Sequence, residues 1–233
     1  MGESKNGIGT LRERSLHADL KQWCFRPGDL IEEMVDGYHI DIKRGPLLIE
    51  IQTRNFSAIK AKLRKLLDAH PVLLVHPIAK RKWIAKQNKR GKAIGRRRSP
   101  KRGRIEDLFQ ELIRIPQLAS HPNFSLEIAF IEEEEVWRDD GKGSWRRGKW
   151  SIHDRRLLKV LDSQQFSSGQ DFLDLLPPSL DKRFTNKALA TAQKISPSLA
   201  GKMSYSLRKM GLLEIVGKDG NANIFEAKAV DTI

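Results

Sequence analysis

Tyr38-His39-Ile40-Asp41-Ile42, Lys43-Arg44-Gly45-Pro46, Leu47-Leu48-Ile49-Glu50-Ile51-Gln52 reads as two apolar segments either side of a turn signal, each carrying acid or amide groups. Strand side chains repeat every second residue, so a hairpin here sets Tyr38, Ile40 and Ile42 on one face and His39 and Asp41 on the other. The return strand divides in the same way, Leu47, Ile49 and Ile51 against Leu48, Glu50 and Gln52. A four-residue turn pairs position 41 roughly with 48. Asp41, Glu50 and Gln52 then share a face. Two carboxylates beside buried apolar groups call for a positive partner such as a metal ion. The plain alternative is a solvent-facing acidic decoration of a two-stranded ribbon.

Working outward, Leu11 to Trp23 has the spacing of an amphipathic helix, with Leu16, Leu20 and Trp23 on one side and Glu13 and His17 four apart on a neighbouring stripe. Gly9 and Arg26-Pro27-Gly28 bound it. After the hairpin, Ser57 to His70 predicts a basic helix. Its core face is Ile59, Leu63, Leu66 and Leu67, and Lys60, Lys62, Arg64 and Lys65 line the rest. Val72 to His76, before Pro77, reads as a buried central strand. The order is helix, strand, strand, helix, strand.

On these residues the segment from Leu11 to His76 resembles the core of the PD-(D/E)xK nuclease superfamily, most closely its archaeal Holliday-junction-resolvase-like members. The matching positions are Glu13 on the first helix, Asp41 on the first hairpin strand, and Glu50-Ile51-Gln52 in place of Glu-x-Lys. The resemblance implies a restriction-endonuclease-like mixed sheet flanked by helices. It also implies a Mg²⁺ (or Mn²⁺) site formed by Asp41, Glu50 and the backbone carbonyl of Ile51, with Glu13 acting through water or on a second ion. Gln52 departs from the pattern. Some restriction-enzyme members carry Gln there, and the missing cation would come from Lys60 or Lys62 on the next helix. Such nucleases are often dimers, so a homodimer is implied too. The chemistry itself calls for these residue types: phosphodiester hydrolysis needs charge neutralisation and a nucleophilic water, which a carboxylate-held Mg²⁺ supplies. His17 and His39 read as scaffold histidines, and no Cys/His spacing suggests zinc.

The formal charge of +14 is concentrated. Lys80, Arg81, Lys82, Lys86, Lys89, Arg90, Lys92, Arg96, Arg97, Arg98, Lys101, Arg102 and Arg104 fall in one acid-free run. Trp83, Ile84, Ala93 and Ile94 flank Asn88-Lys89-Arg90-Gly91 within it, the pattern of a hairpin with a basic tip. An interior basic hairpin reads as a phosphate-tracking arm in preference to a solvated tail, with a targeting signal as the lesser alternative; DNA is the expected partner, and the arm would serve RNA equally well. A single cysteine, Cys24, excludes an internal disulfide framework, and no run is apolar for long enough to span a bilayer. A soluble cytoplasmic protein with no membrane partner is the expectation.

Beyond the arm, Ile105 to Ile115 predicts a helix with Leu108, Phe109, Leu112 and Ile115 inward. Ser125 to Trp137 predicts a strand, turning at Asp139-Asp140-Gly141-Lys142-Gly143 into Trp145 to Trp150, with Glu132 to Glu135 as a charged sheet edge. From Ser151 helical periodicity takes over, which divides the chain into domains 1–150 and 151–233. Helices are expected at Asp154 to Leu161, Gln170 to Leu176, Asn186 to Lys194 and Ser196 to Met210, then a hairpin through Gly217 to Asn221. This order resembles a winged helix-turn-helix, an α+β domain whose last helix enters the major groove. Ser198, Lys202, Tyr205 and Lys209 form its exposed stripe, with Arg208 at the margin and Lys218 on the wing.

The chain therefore reads as α/β, a nuclease-like domain with a basic arm followed by a winged helix, acting as a metal-dependent DNA endonuclease. A nuclease fold that keeps DNA binding without catalysis is the first alternative, kept open by Gln52. An RNA-binding or RNA-processing factor is the second.

Overall fold

In the computed structural model, which describes residues 15–228, the chain is a mixed α/β protein with a large mixed sheet flanked by helices. The strands of that sheet are β1 (Leu30–Val35), β2 (Tyr38–Arg44), β3 (Leu47–Ile51), β4 (Val72–Gln87), β5 (Ala93–Arg98), β6 (Phe124–Arg138) and β7 (Ser151–Phe166). They are ordered β1-β2-β3-β4-β6-β7, with β5 paired to β4. No helix among the described residues is long and apolar enough to cross a membrane. Two compact units interleave along the chain. One comprises Gly28–Ile78, Arg104–Ala129 and the chain from Ser163 onward; the other comprises the chain up to Pro27, Ala79–Gly103 and Phe130–Asp162.

In the first unit the β2–β3 turn is tighter than the sequence suggested. Arg44 pairs with Leu47 across a two-residue turn at Gly45-Pro46, with Gly45 at φ +55°. Ile42 consequently faces Ile49, and position 41 lies across from 50 rather than 48. The slip is two residues, so every side chain keeps its face. The sequence reading also lacked β1, which joins β2 through Asp36 (φ 50°) and Gly37 (φ 83°). Arg44 fastens the start of β1 with bonds of 2.9 and 2.8 Å to the Asp29 carboxylate.

β3 runs parallel to β4, from Leu48 opposite Val72 to Ile51 opposite Val75. Parallel neighbours need a crossover. It is supplied by a 3-10 turn at Phe56–Ile59 and helix α2 (Lys60–Leu67), preceded in the chain by α1 (Ser15–Cys24). Ile59, Leu63, Leu66 and Leu67 are buried, each contributing about 1.5–3 kcal/mol of apolar transfer. The helix expected over Ile105 to Ile115 forms as a 3-10 turn (Ile105–Leu108) running into α3 (Phe109–Leu112), with α4 (Pro116–Ala119) after it. Leu108, Phe109, Leu112 and Ile115 are all inside.

The same unit holds the C-terminal elements: α5 (Gly169–Leu173), β8 (Arg183–Thr185), α6 (Asn186–Gln193), α7 (Pro197–Lys209), β9 (Leu213–Asp219) and β10 (Ala222–Ala227). Its small sheet is ordered β8-β10-β9. Ser196 caps α7 by accepting the Leu199 N–H, and Pro197 opens the helix. α7 packs on α6 and also on α3 and α4. Arg104 ties this packing together. It donates to the Glu106 carboxylate at 3.0 and 3.1 Å and to the carbonyls of Gln193 and Lys194 at 2.9 and 3.0 Å. Its positive charge lies at the negative end of α6.

In the second unit β4 passes its expected end at Pro77 and continues to Gln87, where it pairs antiparallel with β5. The basic hairpin forms, and the Asn88 side chain accepts the N–H groups of Arg90 and Lys92, both at 3.0 Å. Two expectations fail beyond β6. Trp145 to Trp150 is not a strand but part of a loop containing a 3-10 turn at Trp145–Arg147. The return strand is β7, which covers Asp154 to Leu161 where a helix was expected, so the strand-to-helix change assigned to Ser151 does not occur there. β7 ends the sheet, and of its residues only Phe166 is buried, so neither face enforces alternation. α1 protects this edge: Asp19 accepts the Leu157 N–H at 3.0 Å and Ser15 donates to Asp154 at 2.7 Å.

Glu106 is 5% exposed, so removing its cation leaves a buried charge without compensation. Arg104→Ala is therefore expected to lower stability by roughly 1–3 kcal/mol. A fall in the urea midpoint at unchanged m-value is the measure of this loss.

Candidate active site

The hairpin register and the α2 crossover bring three of the residues marked in the sequence to one place. The Asp41 carboxylate accepts the Ile51 N–H at 2.8 Å. The Glu50 carboxylate receives the Asp41 backbone N–H in return. Each acid thus closes the ladder of the other's strand. Lys62, from α2, places its Nζ 2.5 Å from Glu50 Oε1 and also donates to the His39 carbonyl. Glu50 is 4% exposed, and burial, reinforced by the Asp41 charge, pushes its carboxyl up to about 7 despite Lys62. Lys60, the other lysine considered, is exposed.

Gln52 is engaged elsewhere. Its amide nitrogen donates to the carbonyls of Arg54 and Asn55 at 2.6 and 3.1 Å, fastening the loop that leads into α2. Its own carbonyl meets His76 Nδ1 at 2.6 Å. His76 was not singled out as a site residue. Burial holds its pKa down, so the neutral ring donates to Gln52 and packs edge-on against Phe56 at 4.9 Å. Its signal was a lone polar group ending the apolar run Val72 to Val75, where a buried group must find a partner. Glu111 supports the same loop by accepting the Phe56 N–H at 3.1 Å. Glu13 lies outside the described residues. Among those described, no cluster of three or more His, Cys, Asp or Glu has metal-binding spacing. The two carboxylates are hard oxygen donors of the kind Mg²⁺ takes, and here they are engaged by Lys62 and by the Ile51 and Asp41 N–H groups.

The arm is less positive than its sequence. Glu132 to Glu135 lie on β6, an interior strand between β4 and β7, so the charged-edge reading is corrected. Alternation does send them to two faces, where they meet the arm. Lys82 contacts Glu133 and Glu135 at 2.8 and 2.7 Å, Arg96 contacts Glu134 at 2.7 Å, and Arg81 lies 3.7 Å from Glu132. Trp83 donates its indole N–H to Glu132 at 2.5 Å, with the Arg96 guanidinium 4.0 Å from the ring centre. Arg104 serves the α6 terminus. Among the described residues no ion pair engages Lys80, Lys86, Lys89, Arg90, Lys92, Arg97, Arg98, Lys101 or Arg102, and all but Lys86 are exposed. On α7, Ser198, Tyr205, Arg208 and Lys209 are exposed and Lys202 is half-buried, with both terminal cations about the Tyr205 ring at 6.0 and 5.9 Å. Lys218 is exposed on β9, beside the turn at Gly220-Asn221.

The fold and the paired acids define a mixed α/β protein with a carboxylate–lysine site on a sheet crossover. Residues 14–167 match the family described as "Domain of unknown function (DUF8091)", and the chain belongs to that family. The match ends just past β7. A protein of Treponema pallidum (strain Nichols), described as "Uncharacterized protein", is 35% identical over 175 residues, covering 73% of this chain and 70% of the relative. No solved structure matches.

A carboxyl whose folded pKa is raised binds its proton more readily in the folded state, so stability falls as pH rises from the unfolded value toward the folded one. For Glu50 the window runs from 4.5 to about 7. In metal-free buffer Glu50→Gln should match the wild type near the bottom of this window. Above it the variant should be more stable, by on the order of 2 kcal/mol. Thermal melts of both proteins across that range test the sign.

Proposed function

We propose that the protein is a metal-dependent DNA endonuclease of the PD-(D/E)xK type, with Lys62 taking the role of the lysine absent from position 52. The observation that carries this reading is the Lys62–Glu50 contact of 2.5 Å on the face shared with Asp41. Asp41, Glu50 and the Ile51 carbonyl would hold Mg²⁺ or Mn²⁺. A divalent ion bound there supplies Lewis acidity for phosphodiester hydrolysis. Lys62 contributes a fixed positive charge beside the scissile phosphate and, by pairing with Glu50, favours the ionised carboxylate that a metal requires. Gln52 and His76 hold the β3 end and the loop into α2, and so fix where Lys62 stands.

The C-terminal elements are read as a winged helix. The support is the order α5, β8, α6, α7, β9, β10, the β8-β10-β9 sheet, and an exposed α7 stripe that is basic and carries Tyr205. On this reading α7 makes major-groove contacts and Lys218 meets the backbone from the wing. The unpaired arm cations track phosphates. A second reading, a DNA-binding protein without catalysis, draws on Lys62 as well, since a lysine that already neutralises Glu50 can stand in place of a metal.

With Mn²⁺ and supercoiled plasmid, Asp41→Ala and Glu50→Ala should abolish nicking, and Lys62→Met should slow it by roughly 10²–10³-fold, the scale of losing one preorganised charge. Cleavage at the wild-type rate by Asp41→Ala sinks the nuclease reading. For the arm, the variant K89A/R90A/K92A/R97A should lower the slope of log affinity against log salt by about 3–4, at roughly 0.9 per lost phosphate contact. Lys82→Met, which removes a cation already held by two glutamates, should change that slope far less.

A further inference from the structure

Trp145 is 80% exposed, far more than the other tryptophans. Trp83 is covered by Arg96 and bonded to Glu132, Trp137 bonds to Glu135 at 3.0 Å, and Trp150 lies under Lys86 at 4.8 Å. Among the described residues, the sole ring contact of Trp145 is with its neighbour Arg146, at 5.6 Å. Leaving so large an apolar ring in water forgoes a substantial transfer free energy.

The loop that presents Trp145 is nevertheless well built. Asp140 accepts the Lys142 N–H at 2.9 Å and the Ser151 hydroxyl at 2.8 Å. Gly143 donates to the Lys149 carbonyl at 2.8 Å, and the N–H groups of Arg147 and Lys149 return to the Ser144 carbonyl at 3.0 and 3.1 Å. Gly143 is required here, since a Cβ would fall 1.7 Å from the Trp150 carbonyl oxygen. The ring is therefore held outward by an ordered frame. That frame adjoins the arm: the Asp139 N–H bonds the Gln87 carbonyl at 3.0 Å, and Arg138 reaches the Gln87 side chain at 3.3 Å. An uncovered indole, followed in the chain by Arg146 and Arg147, thus stands on a loop whose start is joined to the basic hairpin at Gln87.

We propose that Trp145 stacks on an unpaired nucleobase, so that the end of the arm grips single-stranded nucleic acid. This rests on reading the arm as a phosphate-binding surface, but not on any catalytic role for Asp41 or Glu50. A duplex buries its base faces within the stack and offers an indole nothing to lie on. A single strand presents them, and an aromatic platform beside a cationic track is how such strands are held without sequence preference. Arg146, 5.6 Å from the ring centre, suits the backbone beside the stacked base, while Arg147 donates to the Trp150 carbonyl at 3.2 Å within the loop.

The test measures equilibrium binding of the full chain in EDTA, by anisotropy and by tryptophan quenching. The ligands are oligodeoxyuridylate, oligouridylate and a mixed-sequence duplex of equal length. Trp145→Ala should weaken single-strand binding by roughly 5- to 150-fold, the range expected from one lost stack, leave duplex affinity within about two-fold, and remove most of the quenching. Trp145→Phe should restore most of the affinity. The tighter of the two single strands identifies the sugar. Unchanged single-strand affinity in Trp145→Ala, or an equal loss on single strands and duplex, overturns the proposal while leaving the arm as a phosphate binder. Absence of binding to all three ligands overturns both. Thermal melts of the variants matching the wild type show that the effect is not one of folding.

Discussion

A carboxyl group with almost no access to water must either stay protonated or have positive charge brought to it, and Glu50 is such a group. Much of the architecture around it can be understood as the means of bringing that charge. The two-residue turn at Gly45-Pro46 sets the register that puts Asp41 across from Glu50. The parallel pairing of β3 with β4 obliges the chain to cross over, and the crossover helix is the one that carries Lys62. The apolar face of α2 is fully used in the core, which leaves the lysine at its margin directed at the strand ends. Gln52, His76 and Glu111 hold the loop between β3 and α2, so the helix enters at one height.

Charge compensation of the same kind shapes the arm. Glu132 to Glu135 meet Arg81, Lys82, Arg96 and the Trp83 indole across neighbouring strands. The partnered cations hold the hairpin together, and of the remainder Lys89, Arg90 and Lys92 lie exposed at its tip. Folding thus divides one uniform-looking basic run into a structural set and a set available for binding. Arg104, at the end of that run, shows the division clearly: its guanidinium is committed to Glu106 and to the end of α6.

The C-terminal elements share these interactions. α7 packs on α3 and α4 as well as on α6, which leaves the face bearing Ser198, Tyr205, Arg208 and Lys209 in solvent. The family match ends just past β7, whereas these contacts join α3 and α4, inside the matched residues, to α7 beyond them.

Local pattern alone made legible the common face of Asp41 and Glu50, the core stripe of α2, the exposed stripe of α7 and the basic hairpin tip. Each depends on a period of two or of 3.6, or on one turn, and backbone geometry imposes these within a few residues. β1 and β7 escaped because both end the sheet and are too exposed for alternation to be enforced. Tertiary structure alone decided which lysine reaches Glu50, which of the thirteen arm cations are neutralised, and where Gln52 spends its amide. Those outcomes join residues 12 to 53 positions apart along the chain, as in Lys62–Glu50 and Lys82–Glu135, or turn on how a loop is drawn into a crossover. Spacing in sequence does not set such distances; the order in which strands assemble into a sheet does.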